Sequence, residues 1–112
     1  MTAEERLVQL LSDGETPVVQ GVYYGAEPRY ITFDLVSFGV AYGDDEPQAI
    51  RQMAEIRYTC PATESASAAR ARIARALTDA GFLFPQVSRE ETNGNQTLIF
   101  ETEFLSGTDW EV

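Results

Sequence analysis

Residues 30–61 read YITFDLVSFGVAYGDDEPQAIRQMAEIRYTCP. Two apolar, aromatic-rich runs flank an acidic turn, Ala41-Tyr42-Gly43-Asp44-Asp45-Glu46-Pro47. In the first run Ile31, Phe33 and Leu35 point one way and Tyr30, Thr32, Asp34 and Val36 the other, the period of a β-strand. Both faces carry apolar residues, which places this strand inside its sheet rather than at an edge. The second run, Ala49 to Cys60, alternates again. Ala54, Ile56, Tyr58 and Cys60 are expected to face the core, and Glu55, Arg57 and Thr59 to face solvent. Pro61 has no N–H to donate and holds Cys60 extended, so it ends the strand.

On the N-terminal side, Thr2-Ala3-Glu4-Glu5 fits a capping box, with a hydroxyl at the N-cap and a carboxylate three residues on. Leu7, Leu10 and Leu11 share a helical face with Ala3, and Gly14 is the expected stop. Pro17 opens a strand-like run, Val18 to Tyr24, closed by turn residues at Gly25-Ala26-Glu27-Pro28.

On the C-terminal side, Glu64 to Ala80 reads as a second helix, with Thr63 as N-cap and Gly81 where a left-handed C-cap belongs. Its apolar stripe, Ala66, Ala69, Ile73, Ala76, Leu77 and Ala80, is mostly alanine and permits close approach to a sheet. Phe82 to Glu91 and Gln96 to Leu105 flank Thr92-Asn93-Gly94-Asn95. Asn-Gly between two strand-like runs is a strong hairpin signal, because a type I′ turn needs positive φ at both central residues. Leu98, Phe100 and Phe104 form the expected buried face of the last strand.

The order is therefore α-β-β-β-α-β-β. It predicts a single α+β domain over residues 1–112, a mixed, mainly antiparallel sheet of about five strands packed against two helices. Residues 106–112 form a polar C-terminal tail apart from Trp110. A chain of 112 residues can bury one core without disulfide staples. Six Phe, five Tyr and one Trp argue against disorder.

The formal net charge is -10, and all 8 basic residues are arginine. So acidic a chain repels nucleic acid at long range, although it can surround DNA without holding it. Cys60 is the only cysteine, which excludes an intrachain disulfide and the usual zinc sites; an apolar alternation around it predicts a buried, inert thiol. The opening Met1-Thr2-Ala3-Glu4-Glu5 lacks the apolar segment of a signal peptide, and no apolar run approaches membrane-spanning length. A soluble protein of a reducing cytoplasm is the expectation.

The chain has no histidine to serve as a base near neutral pH, no partner to activate Cys60, and no glycine-rich phosphate loop. No catalytic, cofactor or metal site is expected. Asp44, Asp45 and Glu46 carry oxygen ligands suited to Mg²⁺ or Ca²⁺, but their spacing matches no complete ion loop, and a solvated hairpin tip accounts for them. Arg72, Arg75 and Asp79 fall on the outer face of the second helix, which is either a subunit contact or a solvated face. Trp110 either docks on its own core or anchors an interface. Arg51, Arg57 and Arg89 have acidic neighbours to pair with across strands or across subunits.

The order of these motifs resembles the small tail-terminator, or tail-completion, proteins of long-tailed bacteriophages over most of the chain. The matching features are a short N-terminal helix leading to Val22-Tyr23-Tyr24, the Tyr30-Ile31-Thr32-Phe33 strand and the Tyr42-Gly43-Asp44-Asp45-Glu46 tip. A helix ending in Ala80-Gly81-Phe82 and the aromatic strand Thr97 to Phe104 complete it. The resemblance implies a structural protein without catalysis, which caps the tail tube as a homo-oligomeric ring, usually hexameric. Such a ring ends tube polymerisation and joins tail to head, with the tail-tube and connector proteins as partners and DNA passing through. It implies assembly in the host cytoplasm, residence in the virion tail and no membrane. Tyr42, Asp44, Asp45, Glu46, Arg72, Arg75 and Trp110 are the candidate interface residues. A head-completion protein of the same particle shares this style. A monomeric acidic DNA mimic, and a metal-dependent enzyme built on Asp44 and Asp45, are the rival readings from other classes.

Overall fold

The computed structural model describes residues 2–43 and 46–107, with side chains over 2–36 and 51–104. Helix α1 spans Ala3–Leu11 and opens on the expected capping box: Thr2 Oγ1 accepts from the Glu5 N–H, and the Glu5 carboxylate accepts from the Thr2 N–H. Ala3, Leu7 and Leu11 are buried, as the helical spacing predicts. The helix stops before Gly14, at an extended Ser12 whose N–H still bonds Val8.

Strand β1 covers only Val18–Gln20 and pairs in parallel with β2, Tyr30–Gly43. It is shorter than the expected run to Tyr24 because Gly21 turns to φ 87° directly after its N–H bonds Phe33. Tyr23 then leaves the strand direction and stacks on Tyr30, with ring centroids 4.6 Å apart.

Strand β3, Glu46–Pro61, pairs antiparallel with β2 along nearly its whole length, from Tyr30↔Thr59 to Gly43↔Glu46. The expected wide acidic turn is thus narrower. Ala41–Gly43 and Glu46–Pro47 belong to the ladder, whereas Asp44 and Asp45 lie outside the described residues. Pro47 fits here because pairing of β3 with β5 begins only at Ala49↔Gly107, so no bond to β5 is lost.

Helix α2 spans Ser67–Asp79, starting later than the expected Glu64 and with Ala66, not Thr63, as its N-cap. The reason lies in Glu64. Its side chain is held by Arg29, and its carbonyl accepts from Gln96 Nε2 at 2.6 Å, which fixes the preceding turn. The C-terminus is the expected left-handed cap. Gly81 has φ 98°, its N–H bonds Thr78, and the Phe82 N–H reaches back to Leu77. A Cβ at Gly81 would stand 2.7 Å from the Phe104 ring, so glycine is required there twice over.

Strand β4, Gln86–Thr92, begins later than the expected Phe82. Phe82 turns into the core against Phe104, with centroids 5.5 Å apart, and Pro85 precedes the ladder. Strand β5, Asn95–Gly107, follows the Asn93-Gly94 turn, where φ is 52° and 80°. Ser106 is therefore in a strand and not in the polar tail; Trp110 lies outside the described residues.

The sheet has five strands in the order β1-β2-β3-β5-β4, with one parallel pair at the β1 edge and antiparallel pairs elsewhere. Both helices cover one face of it, giving the expected α+β domain. Leu7, Leu11, Ile73 and Leu77 from the helices meet Ile31, Phe33, Ala54, Ile56, Tyr58, Cys60, Leu98 and Phe100 from the sheet. Thr59, expected at the surface, is instead buried, with its hydroxyl 3.1 Å from that of Thr97. Among the described residues no helix is long and apolar enough to cross a membrane.

Among the described side chains the apolar core reaches Ala54 on β3, with Gln52 buried beside it, and the β2–β3 ladder continues to Glu46, eight residues or roughly 27 Å beyond Ala54. The molecule is correspondingly elongated. Its extents are 54 × 24 × 23 Å and its radius of gyration 15.2 Å, against about 13 Å for a compact domain of this length.

Candidate functional site

Alternation along the strands gives the sheet a second face, opposite the helices. Because directly paired residues share a face, the ladders define what that face displays. One row across the sheet is Thr32↔Arg57↔Ile99↔Ser88. The next is Asp34↔Glu55↔Glu101↔Gln86, three carboxylates in line on three neighbouring strands. The next is Val36↔Met53↔Glu103, continued beyond β5 by Phe84.

Phe84 and Leu83 reach this row because the α2–β4 connection is clamped to β5. The Leu83 N–H bonds the Glu103 carbonyl at 3.0 Å, and Thr102 Oγ1 donates to the Leu83 carbonyl. The result is a groove of about 500 Å³ lined by Val36, Met53, Leu83 and Phe84 with Asp34, Glu55, Glu101 and Glu103. Its apolar side chains are largely open to solvent: Val36 is 59% exposed, Met53 45%, Leu83 61% and Phe84 77%. An apolar strip of this kind on a free surface is characteristic of a contact site.

Charge in the groove is unbalanced. Arg57 pairs with Glu55, and Arg51 approaches Glu103 at 3.9 Å across the β3–β5 ladder. No ion pair is found for Asp34 or Glu101 among the described residues. Like charges directly opposite on neighbouring strands repel, so this row weakens the sheet that carries it. The carboxylates spread along the row rather than converge; among the described residues no group of three or more is placed to hold a metal ion.

Of the sequence-derived interface residues, Tyr42 and Glu46 lie at the far end of the β2–β3 hairpin, on either side of Asp44 and Asp45. Arg75 is exposed on α2. Arg72 is not on the outer face, contrary to expectation. It turns toward α1, where Nη1 donates to the Leu11 carbonyl at 3.1 Å and Nη2 stands 3.6 Å from Asp13. A cation there satisfies an unpaired helix C-terminal carbonyl. Asp13 in turn accepts from the backbone N–H of Thr16 at 2.7 Å and of Glu15 at 2.9 Å. The Thr16 N–H above all, then Glu15, the Thr16 hydroxyl and Arg72, hold its carboxyl below the ordinary value despite partial burial. The structure thus does not gather Tyr42, Glu46, Arg72 and Arg75 into one site.

Arg57 and Arg89 find their carboxylates along their own strands, in Glu55 and Glu91 respectively, and Arg89 Nε also donates across to Gln96 Oε1 on β5 at 3.0 Å. Arg29 pairs with Glu64. Cys60 is 1% exposed, and burial pushes its thiol up, so it stays protonated and weakly nucleophilic.

The groove residues escaped the sequence reading. The available signal was the acids at outward-facing strand positions, Asp34, Glu55, Glu101 and Glu103. Nothing local says that these positions stand side by side.

No protein-family model matches this sequence, and neither does any curated protein. Several chains among solved structures are similar; one of them, bearing no functional name, has a TM-score of 0.63 over 97% of this chain and 92% of its own. At 10% sequence identity that likeness carries the fold alone.

Proposed function

We propose that this chain is a tail-terminator protein of a long-tailed phage or prophage, a structural protein that caps the tail tube as a ring and joins tail to head. The observation that carries this reading is the β2–β3 hairpin, which runs on past the helix-covered core and makes the domain elongated. A long paired arm on a small domain reaches a neighbouring subunit while the core remains independent. Its tip holds Tyr42 and Glu46, which the resemblance marks as interface. The net charge of -10 supports the same reading, since a ring this acidic lets a duplex pass without holding its phosphates.

Light scattering over a concentration series, followed by addition to growing tail tubes, tests the proposal. The expected result is a discrete, hexameric mass, free or on the tube end, and tubes that stop lengthening. A chain that remains monomeric and leaves tube growth unchanged overturns it.

A second reading draws on one observation. The in-line row Asp34, Glu55, Glu101 presents regularly spaced negative charge, as a monomeric DNA mimic would to a basic cleft. That reading requires a strict monomer whose binding to a basic protein weakens steeply with salt.

A further inference from the structure

The groove on the open face asks for an unusual occupant. One row of it is largely apolar, with Val36, Met53 and Phe84, whereas the adjacent row carries Asp34 and Glu101, which have no ion pair among the described residues. A side chain with an aliphatic stem and a delocalised cation fits both parts. The stem covers the apolar row, and the guanidinium meets the carboxylates and the exposed Phe84 ring.

The chain itself supplies such a group. Arg29, Arg51, Arg57, Arg72 and Arg89 each stand beside a carboxylate. Arg70 and Arg75 on α2 have no ion pair among the described residues, and both are exposed. Residues 65–78 contain Arg70, Arg72 and Arg75 and no acid, the most basic stretch of a chain with net charge -10. Two such chains repel each other except where this stretch leads. Arg70 and Arg75 flank the exposed Ala71, and a small residue there allows the helix to lie close against a sheet.

We propose that the groove is the docking site for α2 of a second copy of this chain. Arg75 lies across Val36, Met53 and Phe84, and its guanidinium sits over the Asp34–Glu55–Glu101 row, where Asp34 and Glu101 lack ion pairs among the described residues. The groove and α2 are on opposite faces of the same sheet, so one contact leaves a free groove at one end and a free helix at the other. The association is head-to-tail, the kind that closes into a ring when its rotation permits. As the subunit contact of the proposed ring, it rests on that reading.

The test uses two surface variants of the full chain, Met53→Glu, which spoils the groove, and Arg75→Glu, which spoils the helix. Circular dichroism confirms that both fold. Sedimentation should show each variant's association constant reduced by about tenfold or more relative to the wild type. An equimolar mixture of the two should form dimers and nothing larger, since it contains one intact groove and one intact helix. Wild-type protein that stays monomeric at millimolar concentration overturns the proposal. So do variants that assemble as the wild type does, or a mixture that fails to pair. If the variants still form tube-capping rings, the contact proposed here is wrong and the tail-terminator reading survives. If the wild type neither associates nor caps tubes, both fall.

Discussion

The two faces of this sheet are built from alternate residues of the same strands, yet they obey different rules. On the helix side, Ile56 and Phe100 face each other fully buried, beneath Ile73 and Leu77. One residue along, on the other side, Glu55 faces Glu101. The first pairing stabilises the fold through apolar burial. The second sets like charges opposite each other and works against it. A face that costs stability while the other supplies it is a face shaped by something other than folding, which is why the docking proposal rests on the groove and not on the core.

That contrast can be broken most forcefully from the covered side. Phe100→Ala removes a buried ring from the centre of the core and should cost about 3–5 kcal/mol in urea denaturation. An open-face substitution with a comparable loss would mean that the faces are less different than the structure indicates.

A smaller effect is expected where the helix layer is tied together. Asp13→Ala removes the carboxylate that holds Arg72 and the Thr16 N–H, and should cost about 1–2 kcal/mol at neutral pH. Asp13 is depressed below its ordinary value of 3.8 in the folded state, so its stabilisation is fully present above that value. It fades as pH falls through the lower, folded value. Thermal melts of wild type and variant should therefore differ at neutral pH and converge in strong acid. A gap that widens on acidification would contradict the assignment.

The smallest effect has the opposite sign. Asp34→Asn takes one charge from the in-line row and should leave stability unchanged or raise it by a few tenths of a kcal/mol, most visibly at low salt. A clear loss would show that Asp34 is held by a favourable partner.

Much of the covered face was legible in the sequence. The alternation of Ala54, Ile56, Tyr58 and Cys60, the helical spacing of Leu7 and Leu11, and the Asn93-Gly94 turn are local patterns, and local physics decides them. Element ends were less legible, because Gly21, Glu64 and Phe82 respond to partners distant in sequence, Phe33, Arg29 and Phe104. Arg72 illustrates the same limit. Its position on α2 is readable from the helical period, but the Leu11 carbonyl it reaches is set by how α1 packs. The groove was not legible at all. Asp34, Glu55 and Glu101 belong to strands joined by a long hairpin and by a helix, and it takes the β2–β3 register and the pairing of β3 with β5 together to align them. Phe82 and Phe84 fall in one run expected as a strand, and the clamp on Leu83 sends the two rings to different places.

The Asn93-Gly94 turn acts as an indexing stop. It fixes where β5 starts, and Glu101 lies seven residues or roughly 24 Å beyond Gly94. Were β5 displaced by one residue, Phe100 would turn outward and Glu101 and Glu103 would turn into the core. Two backbone angles at one end of the molecule thus decide the electrical sign of a surface midway along it.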